Sequence, residues 1–331
     1  MKVRPAFFQL STYRLQHQTD TFKKTETVEK FEINILGCGS ALPTVRHFGS
    51  AQVVNIREKL YMVDCAEASQ LLLRRSKLKM TKINHIFISH LHGDHCFGLI
   101  GLISTLGLQG RTATLNIYGH KDLETVMRPQ IDYFCKGLEY EIIFNSIDTK
   151  AFAPIFEDKS VTVYSIPLKH RMPCCGFLFR EKPGLRHIKR DVIDAYNIPI
   201  SQINNIKAGL DYVCPDGEVI PNSIMTTPSD PARSYAYCAD TKYMPELAEM
   251  VKGIDLLYHE ATFADDNQSR AAETFHSTAS QAAKTALDAG VKKLVIGHFS
   301  SRYEDESILL DEAKKIFPET ILAKENLKLT L

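Results

Sequence analysis

The sequence predicts an α/β sandwich in which strands and helices alternate and the connecting loops carry the functional residues. Short β-branched apolar runs recur from residue 31 to the C-terminus, and helix-like segments separate them. Polar side chains, several of them histidines, follow directly after these runs. The sequence contains no internal repeat with a solenoid period. These three observations favour layered strands and helices, with ligands delivered by the loops at strand ends.

Composition narrows the class of protein further. The 331-residue chain can bury one large hydrophobic core or two modest ones. Its 40 basic and 39 acidic residues leave a net charge of +1, so any contact with a polyanion must come from local patches. The eight cysteines contain no C-x-x-C pair, which in a chain of this length predicts reduced thiols in a cytoplasm. No apolar run approaches the roughly 20 residues that span a bilayer, so no membrane contact is expected.

The first part of the chain predicts an extension followed by three strands. Residues 1–30 are polar and rich in Thr, Lys and Gln, which is typical of an N-terminal extension that is either disordered or packed against the body of the protein. The domain begins with an alternating strand over residues 31–36. Two more strands are predicted at 51–56 and 60–63, and Asp64 ends the second.

The remainder of the chain alternates between predicted strands and predicted helices. Strands are expected at 84–89, 114–118, 139–147, 161–166, 234–238, 255–259 and 293–296. Helices are expected at 97–108, 121–134, 277–289 and 304–316. Residues 171–230 interrupt this alternation with Pro, Gly and short charged pieces, which is typical of an inserted arm.

The densest cluster of functional residue types lies directly after the strand at 84–89, where three histidines and an aspartate occur within six residues. In extended backbone, residues two apart point the same way, so His90 and His92 can bind one ion together. Gly93 allows a tight turn, after which Asp94 and His95 face a second ion. Imidazole and carboxylate without thiolate suit zinc, and also manganese or iron, in a hydrolytic site. The alternative is a polar loop of coincidental composition.

Three more ligand candidates follow strands far along the chain. His170, Asp240 and His298 each lie just beyond an apolar run, where a side chain can reach a common rim. Each histidine alone could equally be a hydrogen-bonded core residue. The seven candidates divide between two ions: His90, His92 and His170 on one, Asp94, His95 and His298 on the other, and Asp240 bridging them. This arrangement leaves an open position for water, as a catalytic site requires.

These motifs resemble a known family. The run 90–95, preceded by Asp64 and followed by His170, Asp240 and His298, is similar to the motif of the metallo-β-lactamase fold hydrolases. Within that superfamily the chain resembles the ribonuclease Z family, the tRNA 3′-processing endonucleases. The narrower resemblance rests on residues 37–44, 64–70, 97–111, 259–263, 276–278 and 298–303.

The resemblance implies a four-layer αββα metallo-β-lactamase sandwich over residues 31–331, two Zn²⁺ ions per chain and a homodimer. It implies an endoribonuclease that removes the 3′ trailer from precursor tRNA and leaves a 3′-hydroxyl on the tRNA. In that family an arm extruded from the body grips the tRNA, and residues 171–230 occupy the equivalent place. Residues 196–209 resemble the arm motif of the family but lack its Gly-Pro pair.

Phosphodiester hydrolysis needs an activated water and a protonated leaving group, and the sequence offers candidates for both. Asp94 can hold a metal and accept the proton of the water through its other oxygen, which makes it the predicted general base. His276 is the predicted proton donor to the ribose 3′-oxygen, with Glu260 placed to orient it. Glu260 could instead be a buried structural carboxylate. Asp64 is expected to fix the metal-binding loop by hydrogen bonds to its histidines.

Basic residues supply candidate contacts to RNA. Arg302 could hold a phosphate oxygen bidentately, although a surface ion pair is its ordinary alternative. Arg186, Lys189 and Arg190 lie in the predicted arm and are expected to contact phosphates. The basic run at 74–82 is equally well explained as the solvated end of a helix.

Two other functions remain open on this sequence. One is a small-molecule phosphodiesterase or thioesterase on the same fold, and the other is a non-catalytic RNA-binding module with a vestigial metal site. The shape of residues 171–230 separates the two enzymes, since a projecting basic arm favours tRNA and a loop that caps a tight pocket favours a small substrate. The complete ligand set and the presence of Glu260 and His276 argue against the non-catalytic module.

Overall fold

The computed structural model describes residues 30–331, so the predicted N-terminal extension lies outside the described residues apart from Lys30. The strands of this part of the chain are β1 Phe31–Gly37, β2 Ala51–Ile56, β3 Lys59–Val63, β4 Ile83–Phe87, β5 Leu115–Gly119, β6 Ile142–Ser146, β7 Ala153–Glu157, β8 Val161–Pro167, β9 Cys175–Glu181, β10 His187–Ile188, β11 Tyr212–Val213, β12 Val219–Ile220, β13 Thr226–Thr227, β14 Ser234–Cys238, β15 Leu256–Glu260, β16 Lys293–Gly297, β17 Thr320–Leu322 and β18 Lys328–Thr330. The predicted alternation of strands and helices is confirmed.

Helices connect most of these strands. They are α1 Ser69–Arg75, α2 Gly93–Cys96, α3 Leu99–Leu108, α4 Asp122–Phe134, α5 Arg190–Ala195, α6 Ile203–Lys207, α7 Asn222–Met225, α8 Leu247–Met250, α9 Gln268–Thr274, α10 Ala279–Ala289 and α11 Ser307–Ile316. Short 3-10 turns occupy Met80–Lys82, Ile200–Gln202 and Asp265–Asn267. Within residues 30–331, no helix combines the length and the apolar character needed to cross a membrane.

Two seven-stranded mixed sheets form the centre of the domain. The first has the order β18-β1-β2-β3-β4-β5-β6, and its strands from β3 to β6 are parallel. The second has the order β17-β16-β15-β14-β9-β8-β7, and its strands from β14 to β17 are parallel. In both sheets the remaining pairs are antiparallel. Each sheet therefore has a parallel half and an antiparallel half.

Aromatic side chains pack the two sheets together, and helices cover their outer faces. The Phe87 ring of β4 lies 5.5 Å from the Phe177 ring and 5.6 Å from the Phe179 ring of β9. Outside the first sheet, the buried leucines and isoleucine of α3 pack with α1 and α4 in one apolar cluster. Outside the second sheet, the buried alanine face of α10 packs with α8 and α11. The layers thus follow the predicted order αββα, which confirms the four-layer fold.

The arm is shorter than predicted. Residues 175–181 were expected to belong to it, but they form β9, which pairs with β8 on one side and β14 on the other. The boundary predicted at residue 171 is therefore wrong. The Pro and Gly residues near β9 suggested an irregular segment, but β9 is a strand buried between β8 and β14. The segment outside the sheet lies between β9 and β14, and we call residues 182–230 the arm from here on.

The arm has a hydrophobic cluster of its own. Its buried members are Ile193, Ile198, Ile206, Ile220 and Met225. Two small antiparallel pairs, β10 with β13 and β11 with β12, complete it. At its base, Glu181 accepts hydrogen bonds from the guanidinium of Arg233 at 2.8 and 2.9 Å. The arm is thus a folded unit, and the ion pair between Glu181 and Arg233 links the two chain segments that flank it.

Candidate metal centre

The buried carboxylate of Asp64 fixes the loop after β4 through hydrogen bonds. Its Oδ1 accepts the backbone N–H of Ser89 at 2.8 Å, and its Oδ2 accepts the hydroxyls of Ser89 at 2.9 Å and Tyr237 at 2.7 Å. The Nδ1 of His95 lies 2.7 Å from the same Oδ2. Asp64 therefore ties strands β3 and β14 to the histidine loop, in agreement with its predicted bracing role.

The first group of predicted ligands converges on one point. The Nδ1 of His92 lies 3.1 Å from the Nε2 of His90 and 3.2 Å from the Nε2 of His170. The Oδ2 of Asp240 lies 3.7 Å from the first of these Nε2 atoms and 3.9 Å from the second. Burial lowers the pKa of all three histidines, which favours the neutral imidazole that a metal binds.

The second group converges on the other oxygen of Asp240. Its Oδ1 lies 3.3 Å from the Nε2 of His95 and 3.2 Å from the Nε2 of His298. The Oδ2 of Asp94 lies 3.5 and 3.4 Å from the same two nitrogens. Asp240 thus stands between the two groups with one oxygen toward each, which is the geometry that the predicted bridging role requires.

Among the described residues, two buried atoms at this centre have no hydrogen-bond partner. They are the Nε2 of His95 and the Oδ1 of Asp240. A buried polar atom without a partner is costly, and such atoms call for an explanation. A cation between the imidazole nitrogens and the carboxylate oxygens would satisfy both of them. The donor set therefore fits metal ions, although metal binding by the seven residues individually stays a prediction.

Four of the histidines are oriented by a contact on their outer nitrogen. The Nδ1 contacts are His95 with Asp64, His90 with Ser89 Oγ at 3.0 Å, His170 with the carbonyl of Phe275 at 3.1 Å and His298 with Thr262 Oγ1 at 2.9 Å. Each of these contacts leaves Nε2 facing the centre. His92 is the exception, since its Nδ1 faces inward. Such outer partners set ring orientation and tautomer in metal sites.

Beside the second group, Glu260 and His276 form a pair. The buried carboxylate of Glu260 accepts hydrogen bonds from the backbone of Thr241, Thr262 and Ser277 and from the Thr262 hydroxyl. The Nδ1 of His276 lies 3.0 Å from its Oε1. Burial alone lowers the pKa of His276, but the charge and hydrogen bond of Glu260 raise this pKa to about 9.

The position of His276 is set by the helix that follows it. Thr278 caps α10, because its hydroxyl accepts the N–H of Gln281 at 3.3 Å and the Gln281 side chain accepts the N–H of Thr278 at 3.0 Å. A ring nitrogen of His276 lies within 4.8 Å of the ligand atoms of Asp240 and His298. The sequence therefore placed this residue at the centre correctly, and its role as proton donor stays a prediction.

An open cleft of about 320 Å³ leads to the metal centre. Arg302 lines it, as the sequence predicted, and its guanidinium lies 6.0 Å from the centroid of the Phe263 ring. Two further arginines of the lining, Arg171 and Arg270, were not singled out from the sequence. The position of Arg171 next to His170 was the available signal for one of them. Nothing in the sequence pattern marked Arg270.

The three predicted arm contacts lie away from this cleft. Arg186 donates from Nε to the Thr226 hydroxyl at 2.7 Å, and Lys189 donates to the carbonyl of Ser223 at 3.3 Å. Arg190 is 86% exposed, with Asp194 at 3.6 Å. The first two side chains therefore hold the arm together, and Arg190 is the most accessible of the three. Their contact with RNA stays a prediction.

Two family models match separate parts of the chain. The model described as Anti-Pycsar protein Apyc1 matches residues 31–178, and the Beta-lactamase superfamily domain matches residues 223–299. The structure of human tRNase Z, short form, is similar with a TM-score of 0.65 at 24% identity, over 90% of this chain and 98% of that one. Together with the paired metal-ligand groups, these matches define a hydrolase of the metallo-β-lactamase fold.

Whole-chain relatives identify the family. Ribonuclease Z of Bacteroides fragilis (strain YCH46) is 60% identical over 304 residues, which cover 92% of this chain and all of that protein. Ribonuclease Z of Porphyromonas gingivalis (strain W83) is 51% identical over 91% of this chain and 99% of that protein. The chain belongs to the ribonuclease Z family.

Backbone geometry at the end of β16 yields a prediction about metal content. His298 has a φ of +63°, and a Cβ added at the preceding Gly297 would collide with the Tyr258 hydroxyl. We expect Gly297→Ala to displace His298, so that the metal bound per chain, measured by elemental analysis, falls.

The matched control for this variant is Gly184→Ala, whose added Cβ would meet its nearest neighbour at an ordinary 3.6 Å. The control should keep the metal content of the parent protein. A full metal content in Gly297→Ala would contradict the expectation that this substitution disturbs metal binding at His298.

Proposed function

We propose that this protein is a zinc-dependent endoribonuclease that removes the 3′ trailer of precursor tRNA by hydrolysis and leaves a 3′-hydroxyl on the tRNA. Family membership supports the reaction. The observation that carries it on this chain is the position of Asp240 between two ligand groups, beside the Glu260–His276 pair. A nitrogen and carboxylate donor set of this kind suits zinc.

Two zinc ions per chain are part of this proposal, held by the residues predicted from the sequence. His90, His92 and His170 would hold one ion, Asp94, His95 and His298 the other, and Asp240 both. When bound there, the ions would lower the pKa of a water molecule and stabilise negative charge on the phosphoryl oxygens. The absence of a thiol among these seven residues fits a hydrolytic site.

Asp94 is the proposed general base. Its Oδ2 faces His95 and His298, and its carboxylate is largely buried at the base of the cleft. Because Oδ2 faces the second ligand group, it would hold the metal ion there. The second oxygen, Oδ1, would then be free to accept the proton of the attacking water.

His276 is the proposed proton donor to the leaving 3′-oxygen. Its Nδ1 is held by Glu260, which four other hydrogen bonds keep in place, so the remaining nitrogen, Nε2, is the one that donates. A ribose alkoxide is a poor leaving group and gains most from a proton in the transition state. Arg302 would hold a phosphate oxygen at the same cleft.

The shape of the molecule favours a large substrate over a small one. In the described chain the residues that line the cleft all lie outside the arm. The arm packs on its own core and leaves the cleft open instead of capping it. We therefore propose that the arm binds the folded body of the tRNA, with Arg190 as an accessible contact, while the cleft receives the strand to be cut.

A homodimer in the cytoplasm completes the proposal. The dimer follows from the family resemblance alone. The compartment is supported by the cysteines, since all eight are free thiols and seven of them are buried. Free thiols persist in a reducing compartment.

The direct test incubates zinc-loaded protein with a precursor tRNA that carries a labelled 5′ end and a 3′ trailer. We expect a single cut between the tRNA body and the trailer, with a 3′-hydroxyl on the labelled product. Asp94→Ala should lose several orders of magnitude in rate, because one side chain serves both as metal ligand and as base. Hydrolysis of bis(p-nitrophenyl) phosphate without any cleavage of the tRNA would instead identify a small-molecule phosphodiesterase.

The role of His276 predicts a dependence on the leaving group. His276→Ala should slow RNA cleavage by roughly 10²–10⁴-fold, the usual contribution of a general acid, because the ribose alkoxide needs the proton. The same variant should slow hydrolysis of bis(p-nitrophenyl) phosphate far less, since a nitrophenolate leaves readily without a proton. Steady-state rates on both substrates measure the difference.

Glu260→Gln serves as the companion variant and should show the same pattern more weakly. Metal content should remain at two ions in His276→Ala, because His276 is assigned no metal. Loss of an ion, or equal slowing of both substrates, would make His276 a ligand or a structural residue.

Removal of the arm should separate tRNA binding from chemistry. A variant in which a short Gly-Ser linker replaces residues 182–230 should bind precursor tRNA weakly, because the folded body of the tRNA loses its contact surface. It should still hydrolyse bis(p-nitrophenyl) phosphate, because the metal ligands all lie outside the arm. Equal loss of both activities would place the arm in the catalytic pocket.

A further inference from the structure

Two arginines on the rim of the cleft have no part in the mechanism above. Arg171 directly follows His170, and its Nη2 donates to the backbone carbonyl of Glu273 at 2.9 Å. Arg270 lies on α9, and its Nη1 is 3.6 Å from the Oε2 of the same Glu273. Both guanidinium groups line the cleft that contains the metal centre.

These side chains contribute little to the stability of the fold. Arg270 is 52% exposed and Glu273 is 67% exposed, and exposed ion pairs of this spacing are worth at most about 1 kcal/mol. Lys242 adds a third cation nearby, with its Nζ 5.3 Å from the centroid of the Phe275 ring. Arg171 therefore contacts the backbone of Glu273 and Arg270 contacts its carboxylate, so two guanidinium groups lie close together beside the metal centre.

The position of this basic group relative to His276 indicates which part of the RNA it meets. α9 ends at Thr274, two residues before His276, and the ring of His170 lies 5.3 Å from the ring of His276. If His276 protonates the leaving 3′-oxygen, the nucleotide that carries this oxygen lies on the same side. The next anionic group on that side is the 5′-phosphate of the same nucleotide.

We propose that Arg171 and Arg270 form a subsite for this phosphate, the one that precedes the scissile phosphodiester on the tRNA side. The subsite rests on the proposed function and extends it. Guanidinium groups suit the task because their forked N–H groups bind two phosphate oxygens at once. The bond to the Glu273 carbonyl fixes the orientation of Arg171 and leaves its other N–H groups for the phosphate.

The test combines protein variants with a single neutral phosphate in the substrate. Arg171→Ala and Arg270→Ala should each lower kcat/KM on precursor tRNA about tenfold, mainly through KM, as expected for a hydrogen bond to a charged group. Each variant should also reduce the slope of log KM against log salt by about 1, as expected for the loss of one phosphate contact. Hydrolysis of bis(p-nitrophenyl) phosphate should stay unchanged, because this substrate lacks the preceding phosphate.

With a methylphosphonate at the preceding phosphate, kcat/KM of the parent protein should fall to the value that the double variant Arg171→Ala/Arg270→Ala has on unmodified RNA. The kcat/KM of the double variant should not fall further. A methylphosphonate at the next phosphate on the trailer side should leave the effect of the variants intact. Arg171→Lys, which keeps the charge, should recover part of the loss. The matched control is Lys284→Ala, which removes an exposed helix cation paired with Asp288 and should behave as the parent protein.

Four results would overturn the subsite, three of them from the combination of variants and modified substrates. In the first, the loss of kcat/KM caused by the arginine variants adds fully to the loss caused by the methylphosphonate at the preceding phosphate. In the second, the effect of the variants is removed only by the methylphosphonate on the trailer side. In the third, the variants slow hydrolysis of bis(p-nitrophenyl) phosphate as much as cleavage of tRNA. The third result would assign the arginines a structural role. A parent protein that cuts precursor tRNA while both variants remain unchanged would overturn the subsite alone, whereas a parent protein that does not cut it at all would overturn the proposed function as well.

Discussion

The fold depends on one electrostatic constraint, the burial of a carboxylate between two groups of imidazole rings. Asp240 is almost fully buried, and its two oxygens face different histidines at 3.2 to 3.9 Å. Charged and polar groups in such a place lose their hydration, and only paired charges or cations repay that loss. Because the predicted ligands come from both sheets, metal bound by them would couple its binding to the packing of the two sheets. Removal of metal should therefore weaken the contact between the sheets as well as the catalytic centre.

The surrounding polar groups reduce the freedom of this centre. Asp64 reaches from β3 to Ser89 and to Tyr237 of β14, so the two sheets share a hydrogen-bond network directly beneath the histidines. Within the second sheet, Glu260 joins the ends of β14 and β15 to the start of α10 through Thr241 and Ser277. Both carboxylates orient histidines without facing the centre themselves. A preorganised site of this kind needs little rearrangement during reaction.

The sequence pattern predicted an α/β sandwich and the meeting of the distant ligand candidates because both follow from local rules, whereas the order of the four layers came from the family resemblance. Strands end in loops, the C-terminal ends of parallel strands share one edge, and His170, Asp240 and His298 each follow a strand. The extent of the arm was not predictable in the same way, since the pairing of Cys175–Glu181 on both sides is set by β8 and β14, far away in the sequence. Arg270 escaped notice for a similar reason, because only the tertiary position of α9 brings it to the cleft.

The separation between arm and cleft determines how each can contribute to selecting a trailer-bearing tRNA. The arm holds five basic residues (182, 186, 189, 190 and 207) and six acidic ones (191, 194, 211, 216, 218 and 230), a net charge of −1. In the proposed complex, the arm would therefore recognise the body of the RNA through its folded shape more than through its electrostatic potential. The cleft has the opposite character, with arginines next to the metal ligands. In the proposed reaction, contacts to phosphates beside the scissile bond hold the strand in the cleft and act mainly by lowering KM. Under this proposal the arm selects the RNA that is bound, and the cleft selects the bond that is cut.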